Sequence, residues 1–225
     1  MQNLRNYIRK IISEAAVNPN AAAQQGLALL VINGRKFILY NPKILEAFAE
    51  NLKQDEDYNK FDILNEDHPD LIVGYISLSA PAPGSCYNAN EVLGSAAQKG
   101  YGPMMYDIAM GSLDTVMSDR NSVTQAASGV WKYYKDNRSD VKKLPFDDID
   151  NTKTPPEEDD CKVFQGRDEL NYAYEKRGAD SSAGLLNNHE AFIKEFSKQA
   201  DLDEKDIVRM ISIRAEQFFD EKVQS

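Results

Sequence analysis

Residues 86–110 place a strand, a glycine turn and a helix start in immediate succession. A strand is predicted over Tyr87–Leu93 and a Gly-Tyr-Gly turn at Gly100–Gly102. A helix follows at once, with Pro103 in its first turn; it runs to Met110, and Gly111 closes it. The alternation of short strands with two helices after the glycine turn predicts one α/β domain. Strand, glycine turn and helix start together build an anion pocket from backbone. Glycines let N–H groups turn toward one point and let a phosphate approach without a Cβ in the way. The N–H groups and positive dipole end of the helix then hold the negative charge. Pro103 gives up an N–H that has no helical partner, and that N–H is lost to a phosphate as well. A tight strand-to-helix turn that binds nothing is the other reading of these residues.

The chain has 225 residues, room for one large or two small domains, and its 42% hydrophobic content supplies a core. Its 26 Lys and Arg against 36 Asp and Glu give a net charge of −10. That argues against direct nucleic-acid binding, which needs a basic surface. No apolar run reaches transmembrane length, and the N-terminus lacks the apolar core of a signal peptide. Cys86 and Cys161 make no framework or metal spacing, so a reducing or redox-neutral compartment is the simplest expectation. With His68 and His189 far apart, no metal site is expected.

Leu4, Ile8, Ile11 and Ile12 recur at helical spacing between Arg5, Arg9 and Lys10, and Asn18-Pro19-Asn20 is expected to end that N-terminal helix. This helix either packs on the main domain or serves as a docking peptide. Leu27–Ile32 and Lys36–Tyr40, joined by Asn33-Gly34, predict a hairpin. A helix is expected from Lys43 to Leu52, a solvated loop over Lys53–Lys60 and a strand over Leu71–Leu78. Thr115–Ser118 reads as a short buried strand. Ser122 is the expected N-cap of the next helix, which carries Val123, Ala126, Ala127, Val130, Trp131 and Tyr134. Asp147–Asp160 holds seven acidic residues and two prolines and reads as a surface loop, not spaced like a calcium loop. A strand near Leu170–Tyr174 and helices near Asn188–Gln199 and Asp203–Lys222 complete the chain. Ile207, Met210, Ile211 and Phe218 mark the packed face of the last helix. There is no internal repeat.

This order of elements resembles the GNAT-fold N-acetyltransferases, and more narrowly the GNAT-type proteins of tailed bacteriophages. The family's signature is a strand, then Arg/Gln-x-x-Gly-x-Gly/Ala, then a helix. Asn90-Glu91-Val92 falls on the strand, and Ala97-Gln98-Lys99-Gly100-Tyr101-Gly102 on the loop. Met117-Ser118-Asp119-Arg120 and the helix ending Val130-Trp131-Lys132-Tyr133-Tyr134 continue the likeness, which covers roughly residues 26–136. The resemblance implies an α/β (α+β) fold with a mixed, mainly antiparallel sheet flanked by helices, an N-terminal helix and a C-terminal helical extension. The implied organisation is an amphipathic helix over 1–20, a GNAT-like domain over 21–145, an acidic loop and final strand over 146–187, and C-terminal helices over 188–225.

It further implies acetyl-CoA as co-substrate and an amine as acceptor. The pyrophosphate would rest on the backbone of Gln98, Lys99, Gly100, Tyr101 and Gly102, and the pantetheine arm would pair with the strand at Val92 and Leu93. Glu91 is the implied base. The family's usual acid, a tyrosine, falls on Trp131, which cannot donate a proton in this way; Tyr134 stands near as the candidate. The family's first loop residue, Arg or Gln, is Ala97 here, so one phosphate-facing side chain is missing, with Gln98 or Lys99 as candidates to compensate. A second function of a different class stays open: a catalytically silent phage virion or internal head protein that keeps the fold. Met1–Ala16 resembles the capsid-targeting peptides of phage internal head proteins, and Ile12-Ser13-Glu14-Ala15 matches their cleavage pattern. Virion proteins, met through the terminal helices, are the partners that reading implies. The implied locations are the cytoplasm of an infected bacterium or the virion, with no membrane contact.

Overall fold

Leu27–Tyr40 is an apolar run interrupted only at residues 33–36, and it folds as the expected hairpin. β1 (Ala28–Ile32) pairs antiparallel with β2 (Lys36–Tyr40), with Ile32 opposite Lys36. Leu29, Phe37 and Leu39 enter the core on one face, and Ala28, Leu30, Ile38 and Tyr40 enter the core on the other. Both faces are covered, so these strands carry almost no polar alternation. The computed structural model describes residues 17–47, 68, 70–81, 83–84, 86–148, 157–176 and 182–224.

Ahead of the hairpin stands α1 (Pro19–Gln24), and after it a short helix, α2, over residues 42–47. The chain continues through β3 (Ile72–Leu78), β4 (Asn90–Ala97), α3 (Gly102–Leu113), β5 (Thr115–Met117), α4 (Gln125–Asn137) and β6 (Val141–Pro145). A two-stranded parallel ribbon of β7 (Asp147–Asp148) and β8 (Asp160–Cys161) precedes β9 (Tyr172–Lys176). Two helices, α5 (Ala183–Ala200) and α6 (Glu204–Gln224), end the chain. The main sheet runs in the order β1-β2-β3-β4-β5-β9-β6, and every pairing in it is antiparallel except β4 with β5. This is the expected mixed, mainly antiparallel sheet flanked by helices.

Helices cover the sheet on two faces. On one, α3 lies against the strands with every residue from Met104 to Met110 buried, and Trp131 and Tyr134 of α4 join it. A helix apolar on nearly all sides can only sit inside. On the other, Phe192 and Phe196 of α5 and Ile207, Met210, Ile211 and Phe218 of α6 close over Leu30, Ile38 and Tyr75. Among the described residues no helix is long and apolar enough to cross a membrane.

Several local expectations are revised. Tyr87–Leu93 is not one strand: Cys86, Tyr87 and Asn88 take φ 50, 55 and 51 in a left-handed turn, and β4 begins only at Asn90. Cys86 is tied there by a disulfide to Cys161, 75 residues away, so the two cysteines pair after all. The Tyr87 hydroxyl donates to Pro145 O at 2.9 Å, and Gly84 N donates to Asn88 Oδ1 at 2.8 Å. The helix after the glycine turn passes through Gly111 to Leu113, and the chain turns at Asp114, φ 60. Thr124, not Ser122, caps α4, its Oγ1 accepting Ala127 N at 3.2 Å. Ser122 N is instead held by Asp119 Oδ1 at 3.1 Å, which keeps that segment in a turn. Asp168–Leu170 form a 3-10 turn, so the strand expected at Leu170 starts at Tyr172. Asn18-Pro19 begins a helix rather than ending one: Asn18 Oδ1 accepts Ala21 N at 2.8 Å with proline in the first turn. The amphipathic helix expected before Val17, the end of the Lys43–Leu52 helix and the Lys53–Lys60 loop lie outside the described residues.

Candidate functional site

β4 changes partners along its length. Asn90 and Glu91 stand opposite Val116 and Met117 of β5. β5 then ends, while β4 runs on to Ala97 beside β3 alone. Among the described residues no strand takes up the other edge of Val92–Ala97. Leu78 pairs with Val92 and Ser77 with Gly94, so Leu93 is an extra residue in the ladder, 57% exposed. Such a bulge leaves a residue unpaired and re-aims its neighbours.

A groove follows this open edge. Its larger part, about 460 Å³, is lined by Ser95–Gln98 of the strand end, Gly100, Gly102 and Pro103, Tyr106 of α3, Val130 of α4, and Lys222 and Val223 of α6. A narrower part, about 140 Å³, continues past Val92–Ser95 to Asp119, Ser122 and Trp131. The two share Ser95, Tyr106, Thr124, Ala127 and Val223. Where they meet, the Ser95 and Tyr106 hydroxyls lie 2.7 Å apart. Burial pushes the Tyr106 hydroxyl up to about 12, partly opposed by the Ser95 hydrogen bond, so it is protonated at neutral pH. The tip of the Phe219 ring of α6 meets the strand at Gly94, where a Cβ would stand 2.8 Å from Cζ.

The glycine turn closes one end. Gln98 N donates to Val73 O at 2.8 Å and its side-chain amide to Ile72 O at 3.0 Å, which fastens the end of β4 to β3. Tyr101 N returns to Gln98 O at 3.1 Å across Gly100, whose φ of 93 requires glycine. The first intrahelical bond is Met105 N to Tyr101 O at 3.2 Å, so the N–H groups of Gly102 and Met104 precede the ladder, and Pro103 has none. Of the loop residues expected to contact a ligand, Gln98, Gly100 and Gly102 line the larger cavity, and Val92 and Leu93 line its continuation. Lys99 and Tyr101 line neither; the Tyr101 hydroxyl donates to Gln25 Oε1 at 3.0 Å.

The two acid–base candidates are both engaged by the fold. Glu91 Oε1 accepts Arg120 N at 2.5 Å, bridging the last β4 residue paired with β5 to the chain leaving β5. Tyr134 is fully buried beneath α3, its hydroxyl 2.7 Å from both Pro103 O and Asp107 Oδ1, and it lines neither part of the groove. Burial, then the Asp107 carboxylate, holds its hydroxyl well above the ordinary range. Asp107 is itself clamped by Arg138 at 3.1 Å and Lys176 at 3.5 Å. Arg120 is an anchor that sequence reading did not single out. Its guanidinium donates to Ser118 O at 3.1 Å, Lys162 O at 3.1 Å and Leu170 O at 2.5 Å, and lies over the Phe164 ring. Burial lowers it to about 10, with Glu91 and Asp119 opposing. Among the described residues no group of three or more His, Cys, Asp or Glu is placed to hold a metal.

Comparison with protein-family models, with curated proteins and with solved structures finds no match to this chain.

Proposed function

We propose that this chain is a GNAT-like acyltransferase that takes acetyl-CoA along the open half of β4 and passes the acetyl group to an amine. The observation that carries the reading is the one-sided pairing of Val92–Ala97, an exposed strand edge inside a groove that ends at a glycine turn and a helix start. An extended, amide-bearing chain such as pantetheine adds to such an edge as another strand does. The Gly102 and Met104 N–H groups suit a pyrophosphate. The mixed, mainly antiparallel sheet flanked by helices is also what the resemblance implies.

The transfer forms a bond from the amine nitrogen to the acetyl carbon and breaks the carbon–sulfur bond. One proton leaves the nitrogen and one joins the departing thiolate. In this reading Asp119, at the narrow end, accepts the first on Oδ2, its Oδ1 being engaged by Asn121 N and Ser122 N, and the Tyr106–Ser95 hydroxyl pair supplies the second. Glu91 positions Arg120 and its neighbours. Tyr134 has a structural role.

A second reading is favoured by one observation: Glu91 and Tyr134 are both bound into the fold. In it the chain keeps the groove without transfer and serves as a virion or internal head protein. Calorimetry with acetyl-CoA, paired with a free-thiol assay over a panel of amines, separates the two. Binding with thiol release that Asp119→Asn suppresses supports the enzyme. Binding without release supports the silent protein. No binding at millimolar acetyl-CoA overturns the acyltransferase and leaves the structural virion or internal head protein standing.

A further inference from the structure

We infer that Lys222, on the C-terminal helix, supplies the cation for the phosphates of the acyl-CoA, in place of the loop side chain missing at Ala97; this rests on the groove reading above. Among the described residues Lys222 is the one charged side chain lining the larger cavity. It lines that cavity together with Gln98, Gly100 and Gly102, the turn end of the groove. The acidic lining residue, Asp119, lies at the other end. A third hollow of about 170 Å³ shares Gln98 and Lys222 with the first; there Arg214 is paired with Glu221 at 3.3 Å and Asp70 also lines it, so Lys222 is the cation that α6 brings to the groove side of the turn.

The candidates within the loop do not meet the need. The Gln98 amide donates to Ile72 O, and Lys99 does not line the cavity. Pro103 removes one N–H besides. A polyanion in a protein of net charge −10 needs a positive group near the turn. α6 is held in place to offer one, since Phe219 seats on Gly94 and Tyr75 one turn before. The C-terminal extension is thereby a wall of the ligand site as well as a cover for the sheet. The competing explanation is that Lys222 only complements the helix dipole in the last turn of α6.

The test compares acetyl-CoA with acetyl-pantetheine, which has the same arm and no phosphates beyond it. Calorimetry is run on the full chain as wild type, Lys222→Met and Lys222→Arg, at two salt concentrations, with melting curves to verify folding. The inference expects Lys222→Met to weaken acetyl-CoA about tenfold and to flatten its salt dependence, with acetyl-pantetheine unchanged and Lys222→Arg close to wild type. Equal acetyl-CoA affinity in wild type and Lys222→Met overturns it. So does an equal loss for both ligands, which would mean a change of groove shape. Acetylation of Lys222 itself, seen by mass spectrometry, also overturns it, because that puts the amine at the thioester. If wild type binds neither ligand, the groove reading fails first and the assignment falls with it.

Discussion

The two halves of β4 differ in almost every physical respect. The first, Asn90–Glu91, pairs with β5, and Glu91 O also accepts Ser79 N at 2.8 Å just beyond the end of β3. It is preceded by a left-handed turn held by the Cys86–Cys161 disulfide, and its carboxylate is hydrogen-bonded to Arg120 N. The second, Val92–Ala97, starts with a bulge, has one paired edge and faces a cavity. One strand therefore acts as anchor and as platform. The lesson is that an open strand edge, a liability at a sheet's margin, is kept at the centre of this sheet by rigid fastening just before it. Changes to the anchor should act on stability, and changes to the platform on binding.

The largest expected effect is on the anchor. Replacing Cys86 and Cys161 together with alanine frees a long loop and should cost roughly 4 kcal/mol on the chain-entropy account of disulfides. Denaturant unfolding measures it, and a reducing agent should lower wild-type stability by a similar amount. Arg120→Met removes donors from three carbonyls and should cost roughly 3 kcal/mol, read in the same experiment. If either change leaves stability intact but abolishes ligand binding, the division of roles in β4 is wrong.

On the platform, Gly94→Val pushes Phe219 away from the strand and narrows the groove. It should weaken acetyl-CoA binding at least tenfold by calorimetry while moving the melting temperature far less than loss of the disulfide does. Tyr134→Phe leaves Pro103 O and Asp107 short of a donor and should cost about 1–2 kcal/mol. It should leave any transfer rate unaltered, because the hydroxyl does not reach the groove. A large fall in rate with unchanged stability would restore Tyr134 as the acid.

The smallest effect is a pH dependence remote from the groove. His189 Nδ1 lies 2.8 Å from the Tyr40 hydroxyl, and burial, partly opposed by Glu190, lowers its pKa below 6.5. Between that lowered value and 6.5 the unfolded chain takes up a proton that the folded chain refuses. Stability from this group is thus full above 6.5 and falls as the solution is acidified below it. His189→Asn should flatten that part of the acid limb, measured by thermal melts between pH 7 and 5.

Much of this architecture was legible because its signals are local. Asn33-Gly34 marks a hairpin by its own backbone preference, and Pro103 after Gly100 marks a helix start. The seam of α6 follows from the spacing of Ile207, Met210, Ile211 and Phe218. What escaped was set by distant partners. The left-handed turn at Cys86–Asn88 depends on Cys161 and Pro145, so the start of β4 could not be placed from its own residues. Thr124 displaced Ser122 as the cap because Asp119 holds Ser122 N. The groove's lining was legible in part: Val92, Leu93, Gln98, Gly100 and Gly102 line it as read, Lys99 and Tyr101 do not, and Ser95, Tyr106, Phe219 and Lys222 were not singled out. Ser95 and Tyr106 meet only once α3 crosses β4, and the α6 residues arrive from more than a hundred residues away.

Amide hydrogen exchange with and without acetyl-CoA tests the central claim most directly, that the open half of β4 is the ligand platform. The account predicts slower exchange for amides within Val92–Ala97 and at Gly102 and Met104 on adding acetyl-CoA, with β1 and β2 unchanged. Exchange at Val92–Ala97 that stays the same under saturating acetyl-CoA, or protection that appears only elsewhere, would contradict it.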